Sequence, residues 1–329
     1  MKLGIVGTGM IAHLVGPNLA GWGYEVVAVA GTPQTMGEVE ELADAWGVRG
    51  RYSDYRELVA DPEVEAVYVA VPNFLHYAVS EAALDAGKDV ICEKPLASGE
   101  DEAARIAELA KKRGRFLWEA MVTTRQPNYV ALRRDLLPRI GDVKVVTVNY
   151  SQYSSRYDAF REGRVLPAFD PAKAGGAIMD LGIYTLSFVL GLFGEPLEAR
   201  YAANIERGID TSGVAYLRYD DFVATAICAK DCGAPSGALI QGTDGYILMD
   251  TPPNVCGKVV LHLNDGTQEV HDASHSLVWE GEFREFARQR RAGDFEACYR
   301  QLDQSVLVSR VQNEIRRAAG VIFPTDERN

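Results

Sequence analysis

Three groups of residues in this chain have the types and spacing for chemistry. Glu93-Lys94-Pro95 closes the run Asp89-Val90-Ile91-Cys92, which reads as a strand. A lysine leaving the carboxyl end of a strand in an α/β sheet faces the crevice where such sheets hold ligands, and the proline restrains the backbone that presents it. Gly7-Thr8-Gly9-Met10-Ile11-Ala12 follows the first strand and opens a helix. In that setting the first glycine makes a tight turn, the second lets the backbone approach a pyrophosphate, and the small Ala12 allows close helix–strand packing. Asp180 and Tyr184 stand four apart in Gly175-Gly176-Ala177-Ile178-Met179-Asp180-Leu181-Gly182-Ile183-Tyr184. On a helix that spacing puts a carboxylate and a phenol on one face, although a surface Asp and a half-buried Tyr share the pattern.

Two further segments bear on a dinucleotide. Val71-Pro72-Asn73 ends the strand expected at 66–71, with His76 one turn into the next helix. Groups at this edge would border the nicotinamide ribose, and His76 serves equally well as a capping or packing residue. After the second strand the chain reads Ala30-Gly31-Thr32-Pro33-Gln34, without the acidic residue that binds the ribose of NAD or the arginine that accommodates the phosphate of NADP. Thr32 can hydrogen-bond either group, and the lack of a nearby cation favours NAD over NADP.

These residues need a scaffold. Strands are expected at 3–6, 26–30, 66–71, 90–92 and 116–118, with helices at 11–22, 37–46, 55–60, 75–86 and 101–113. Alternation of this kind implies an α/β Rossmann domain with a doubly wound parallel sheet, placed at 1–123. Beyond residue 140 the pattern becomes consecutive strands, at 143–151, 197–205, 212–219, 223–229, 238–241, 246–249, 258–263 and 268–270, with turns at Asp220-Asp221 and Asn264-Asp265-Gly266. Helices are expected at 176–192, 277–291 and 302–318, so residues 124–329 read as an α+β domain with a large, mostly antiparallel open sheet. If helices cover one side of that sheet, its other side is available for self-association, and a homodimer or homotetramer is expected.

Composition bounds the partners. The 329 residues, 47% hydrophobic and 24% charged, fit a globular protein of two domains. The net charge of -12 opposes binding to nucleic acid or anionic membranes, so a bound dinucleotide must be held by local donors. The chain opens directly into a strand, and apolar stretches such as 66–72 fall well short of the ~20 residues that span a bilayer, so neither a signal peptide nor membrane insertion is expected. Cys92, Cys228, Cys232, Cys256 and Cys298 are scattered and odd in number, which reads as reduced thiols in the cytoplasm. Cys228 and Cys232 are four apart with no histidine near them in sequence, and no metal site is expected there.

Taken together, these motifs resemble the Gfo/Idh/MocA oxidoreductases over nearly the whole chain. The resemblance rests on Gly7 to Ala12, Val71-Pro72-Asn73-x-x-His76, Glu93-Lys94-Pro95-Leu96, and Gly175-Gly176 leading to Asp180. It implies hydride transfer between NAD or NADP and a secondary hydroxyl or ketone of a sugar, polyol or cyclic diol. It also implies that Lys94 touches substrate and nicotinamide ribose, and that Asp180 positions the substrate. Many members carry histidine where this chain has Tyr184; Asp-x-Gly-x-Tyr is shared with a branch resembling dimeric dihydrodiol dehydrogenases, in which the tyrosine takes the proton-transfer role. The usual Arg-Phe after the strand expected at 116–118 is altered to Thr124-Arg125-Gln126-Pro127, which puts substrate contacts there in doubt.

Two proton acceptors stay open. Tyr184 can serve if the Lys94 ammonium and the oxidised ring favour its phenolate, or Lys94 can serve while Tyr184 and Asp180 orient the hydroxyl. Tyr150, Tyr153, Arg156 and Tyr157 are candidates to line a sugar pocket, or an interface. The competing readings are a redox-neutral NAD-dependent glycosidase and a non-catalytic NAD(P)-binding sensor.

Overall fold

The computed structural model describes residues 1–328. They form two compact units, Met1–Ala120 with Glu282–Val306, and residues 121–281 with the chain from Leu307 onward. The domain expected at 124–329 is therefore interrupted: its segment Glu282–Val306, most of the penultimate helix and the start of the last one, belongs to the first unit. Aromatic packing within that unit explains the assignment. Phe283 stacks on Trp22 at 5.6 Å and meets Tyr68 edge-on at 5.4 Å, while Phe286 lies on Trp118 at 5.3 Å. Gln289 accepts the indole N–H of Trp118 at 2.7 Å, and Arg290 pairs with Asp89 at 2.8 Å.

The first unit alternates β1 (Lys2–Val6), α1 (Met10–Val15), β2 (Glu25–Ala30), α2 (Met36–Trp46), β3 (Gly50–Tyr52), α3 (Tyr55–Ala60), β4 (Ala66–Val69), α4 (His76–Asp85), β5 (Asp89–Glu93), α5 (Glu100–Arg113) and β6 (Leu117–Ala120). All neighbouring strands run parallel in the order β3-β2-β1-β4-β5-β6, the doubly wound arrangement in which ligands bind where the order reverses, outside β1 and β4. Every residue of β4 is buried, as expected of a strand covered on both faces. Register brings the carboxyl ends together: Val6 pairs with Val69, Val69 with Cys92, and Glu93 with Ala120. Helix α5 carries Glu100, Asp101 and Glu102 in its first turn and Lys111, Lys112 and Arg113 in its last, complementing its dipole. The strand β3 is too short and too polar to show in a hydrophobicity pattern, and the helix expected at 11–22 is α1 followed by a tighter 3-10 run, Gly16–Trp22, with a proline near its start.

The second unit holds α6 (Pro127–Ala131), β7 (Val143–Ser151), α7 (Tyr157–Arg161), α8 (Ile183–Phe193), β8 (Glu198–Glu206), β9 (Ile209–Arg218), β10 (Val223–Ala229), β11 (Gly237–Gly242), β12 (Gly245–Met249), β13 (Val259–Leu263) and β14 (Gln268–His271). The eight strands run β14-β13-β12-β11-β7-β10-β9-β8. All pairs are antiparallel except β7 with β10. The final helices are α9 (Glu280–Ala292) and α10 (Phe295–Ala318). Helix α8 packs on β7 and β10 and ends a run, Pro171–Phe193, long and apolar enough to cross a bilayer; most of that run is buried in the unit, as in a core helix. The expectation that apolar stretches are all far shorter does not hold for it. The opposite face of the sheet leaves Val145, Val214, Tyr216, Tyr246 and Leu248 exposed.

Candidate active site

In the first unit the two glycines of the loop after β1 have different reasons to be glycine. Gly7 has φ 117°, and a Cβ there would lie 2.2 Å from the Ala70 carbonyl oxygen, so the turn and the close approach of β4 both demand it. Gly9 has an ordinary φ of -73°, and a Cβ there would meet nothing within 4 Å. The protein's own packing does not explain Gly9, whereas a backbone-hugging ligand does. Intrahelical bonding begins with the Ala12 N–H to the Gly9 carbonyl at 3.0 Å, so the Met10 and Ile11 N–H groups precede it and point out of the helix start. Met10 is 66% exposed, an apolar side chain placed to cover a bound group. The cradle fits a dinucleotide's pyrophosphate.

At the end of β2 Thr32 does not stand alone. Its side chain and that of Thr35 form a capping box over the 3-10 turn Pro33–Thr35. Thr8 donates its hydroxyl to the carboxylate of Glu38 in the first turn of α2. Glu38 lies six residues beyond the position where sequence reasoning looks for an acidic residue.

The carboxyl edges of β4 and β5 are tied by His76. Its imidazole is buried, with Nδ1 2.7 Å from the Pro95 carbonyl and Nε2 2.9 Å from the Val71 carbonyl. Burial, reinforced by the nearby Lys94 charge, pushes its pKa below the ordinary value and outweighs the two carbonyl contacts, so the ring is neutral and donates to one carbonyl at a time. His76 thus braces the backbone of Val71-Pro72-Asn73 against that of Lys94-Pro95, whose peptide bond is cis. Glu93 accepts the hydroxyl of buried Tyr68 at 2.6 Å; burial raises its pKa while Tyr68 and Lys94 pull it back. Beyond Pro95, the Leu96 N–H donates to buried Glu119 on β6 at 2.9 Å, a support no motif announced.

In the second unit, Asp180 and Tyr184 do not share the plain α-helix expected of them. The turn Ile178–Gly182 is π-helical, and α8 begins only at Ile183, so Asp180 sits on a widened turn of the kind found at functional sites. That turn is pinned by a residue the sequence did not single out: the buried carboxylate of Asp210 accepts the Ile178 N–H at 2.7 Å and the Tyr201 hydroxyl at 2.8 Å. Gly176, with φ 105°, yields to Asp210, since a Cβ there would lie 2.1 Å from the carboxylate. Asp180 accepts from Lys230 at 2.7 Å, and Tyr184 packs against Tyr150 with ring centroids 5.8 Å apart.

The other candidates separate. Tyr157 is buried and gives its hydroxyl to Glu206 at 2.8 Å, whereas Tyr153 is exposed and donates to Asp158 at 2.7 Å, and Arg156 is exposed at the start of α7. Gln126 is buried and donates to the Val278 carbonyl at 2.7 Å, with Pro127 opening α6. All five cysteines are free; Cys228 is buried against Gly182 and Tyr201 while Cys232 is exposed, and no metal-ligand cluster occurs among the described residues.

Residues 1–121 match the family described as "Oxidoreductase family, NAD-binding Rossmann fold", and residues 138–248 match the GFO/IDH/MocA C-terminal domain. The chain is 36% identical to the scyllo-inositol 2-dehydrogenase (NADP(+)) of Bacillus subtilis, over 87% of this chain and 88% of that protein. It is 30% identical to the trans-1,2-dihydrobenzene-1,2-diol dehydrogenase of Mus musculus, over 100% and 99%. Among solved structures, a 3-ketoreductase from Actinomadura kijaniata in complex with NADP and TDP-benzene superposes with a TM-score of 0.84 at 22% identity, covering 98% of this chain and 99% of that one, which shows a common fold. With the cradle, the lysine-bearing strand edge and both domains accounted for, the chain belongs to the GFO/IDH/MocA family and is an NAD(P)-dependent oxidoreductase.

Proposed function

We propose that the protein interconverts a secondary alcohol and ketone on a polyol, sugar or cyclic diol, with Lys94, Asp180 and Tyr184 as its catalytic set. The observation that carries this reading is the presentation of Lys94 from the β5 edge, braced by His76, in the same sheet as a glycine loop shaped for a dinucleotide. The inositol and dihydrodiol specificities of its relatives support the substrate class. When bound, the nicotinamide supplies the hydride acceptor or donor. Gly7, Thr8, Gly9, Met10 and Ile11 hold the pyrophosphate side, Thr32 the adenosine ribose, and Val71, Pro72, Asn73 and Glu93 shape the sheet edge near Lys94, with His76 fixing the backbone there. The hydroxyl proton goes to Tyr184 Oη or Lys94 Nζ. A free phenol, with a pKa near 10, is a poor base at neutral pH unless a cation favours its phenolate. Asp180 accepts a hydrogen bond from a neighbouring substrate hydroxyl, and Tyr150 backs the Tyr184 ring.

We read the cofactor as NAD. Thr8 holds Glu38 in the first turn of α2, and a carboxylate near the adenosine end would repel the phosphate of NADP, while Thr32 offers a hydroxyl in place of a cation; both support this reading. The Bacillus subtilis relative is named for NADP(+), so this marks a divergence. A cytoplasmic protein with reduced thiols is the reading we favour, supported by five cysteines that are all free, and the apolar open face of the eight-stranded sheet supports a homodimer or homotetramer. Sedimentation of wild type and Tyr216→Asp tests the latter, since an unchanged assembly in the variant removes that face.

The activity test follows nicotinamide absorbance with NAD or NADP and a panel of inositols, aldoses and cyclic diols. Reduced cofactor should accumulate with wild type and not with Lys94→Met, which should still bind cofactor. Tyr184→Phe should lower kcat with KM preserved. Near wild-type turnover by Lys94→Met would sink the assignment.

A further inference from the structure

Lys230 is the one lysine among the described residues whose side chain is almost wholly enclosed, at 2% exposure. It follows β10 immediately, and its backbone is fastened on both sides: its N–H donates to the Thr211 carbonyl at 2.8 Å, and its carbonyl accepts from the Ser154 N–H at 2.9 Å. Its ammonium donates to Asp180 Oδ2 at 2.7 Å and to the Ala168 carbonyl at 3.1 Å, and lies 4.7 Å from the centre of the Phe169 ring. A buried ammonium is tolerated only when paired and hydrogen-bonded, and three donors on a rigid backbone leave it little freedom. Asp180 is different, since 35% of its side chain remains exposed. One oxygen of the carboxylate is thus anchored from within while the residue still reaches solvent.

We propose that Lys230 is a positioning residue for Asp180. It fixes the rotamer of the carboxylate on the π-helical turn, so that Asp180 presents a preset acceptor to a hydroxyl of a polyhydroxylated substrate. The proposal rests on the reading of Asp180 as a substrate contact. Lys230 itself acts through the carboxylate, not on the substrate. A lysine at the end of a strand gives no sequence signal for this, because its partner lies fifty residues away in the chain.

A double-mutant cycle on the full-length enzyme tests it, with Lys230→Met, Asp180→Asn and the double variant assayed for kcat, KM and, by titration, cofactor Kd. A hydrogen bond to a charged group is worth roughly ten- to hundred-fold, so Asp180→Asn should lower kcat/KM by about that factor, and Lys230→Met should do nearly the same. The double variant should match Asp180→Asn within about threefold, with cofactor Kd unchanged in all three. Losses that multiply in the double variant, or Lys230→Met with wild-type kinetics, would overturn the proposal while leaving Asp180 as a contact. Wild-type kinetics in Asp180→Asn would instead remove the contact itself, and Lys230's role with it. If Lys230→Met fails to fold, recovery of folding in the double variant supports the pairing, because it removes the stranded carboxylate; failure of both makes Lys230 a packing residue and overturns the idea.

Discussion

Replacing each glycine of the β1 loop by alanine separates folding from cofactor binding, because the two positions fail for opposite reasons. At Gly7 the new methyl would sit 2.2 Å from the Ala70 carbonyl oxygen on a backbone with φ 117°. Strain at such a φ costs about 1–3 kcal/mol, and relieving the clash requires β1 and β4 to part at their carboxyl ends, so a total of roughly 3–4 kcal/mol is expected. In a unit of this size that lowers Tm by roughly 10 °C. At Gly9 the methyl meets no protein atom within 4 Å at an allowed φ of -73°. Alanine is a poorer N-cap than glycine by about 0.5–1 kcal/mol but restricts the unfolded chain by a similar amount, so the apo protein should keep its Tm within about 2 °C. Its cost appears when the cofactor binds, since one methyl between backbone and pyrophosphate removes at least one charged hydrogen bond, about 1.5–3 kcal/mol or ten- to hundred-fold in Kd. Thermal melts of apo protein and titration with NAD and NADP measure both. Wild-type cofactor affinity in Gly9→Ala would refute the placement of the pyrophosphate, and an unshifted apo Tm in Gly7→Ala would refute the reading of β1 against β4.

His76 makes stability depend on pH with a definite sign. Its folded pKa lies below the ordinary 6.5, so the unfolded chain takes up the proton first; the contribution is intact above pH 6.5 and is eroded as pH falls from there towards the folded value. Denaturant titrations of wild type and His76→Asn should therefore converge on acidification through this window, and a difference that stays constant with pH would contradict a buried neutral ring. Arg316, fully buried, makes two 2.7 Å hydrogen bonds to Asp326 and lies 3.9 Å from the centre of the Phe323 ring. Arg316→Met should cost about 3–5 kcal/mol by stranding Asp326, and Arg316→Met with Asp326→Asn should recover part of it; calorimetry showing no recovery would assign the loss to packing alone.

Five of the six strands of the parallel sheet and the residue types of the three chemical motifs were legible because they are local, whereas short, polar β3 and the π-helical turn under Asp180 were not. Continuous apolar runs mark β4 and β5, a strand–glycine–helix junction marks the cradle, and Val143–Ser151 and Val223–Ala229 are bounded by turn residues at both ends. What tertiary structure decided is how those motifs are held. Lys230 reaches Asp180, Asp210 pins the turn that carries Asp180, and Glu38 reaches Thr8, each by a side chain distant in sequence and ordinary in type. The return of Glu282–Val306 to the first unit depends on which aromatic surfaces it covers, which periodicity does not specify. Local patterns record the backbone's own hydrogen bonding and burial, and so specify elements. Long-range polar partners depend on sheet register and on which faces meet, and those emerge only when the chain is packed.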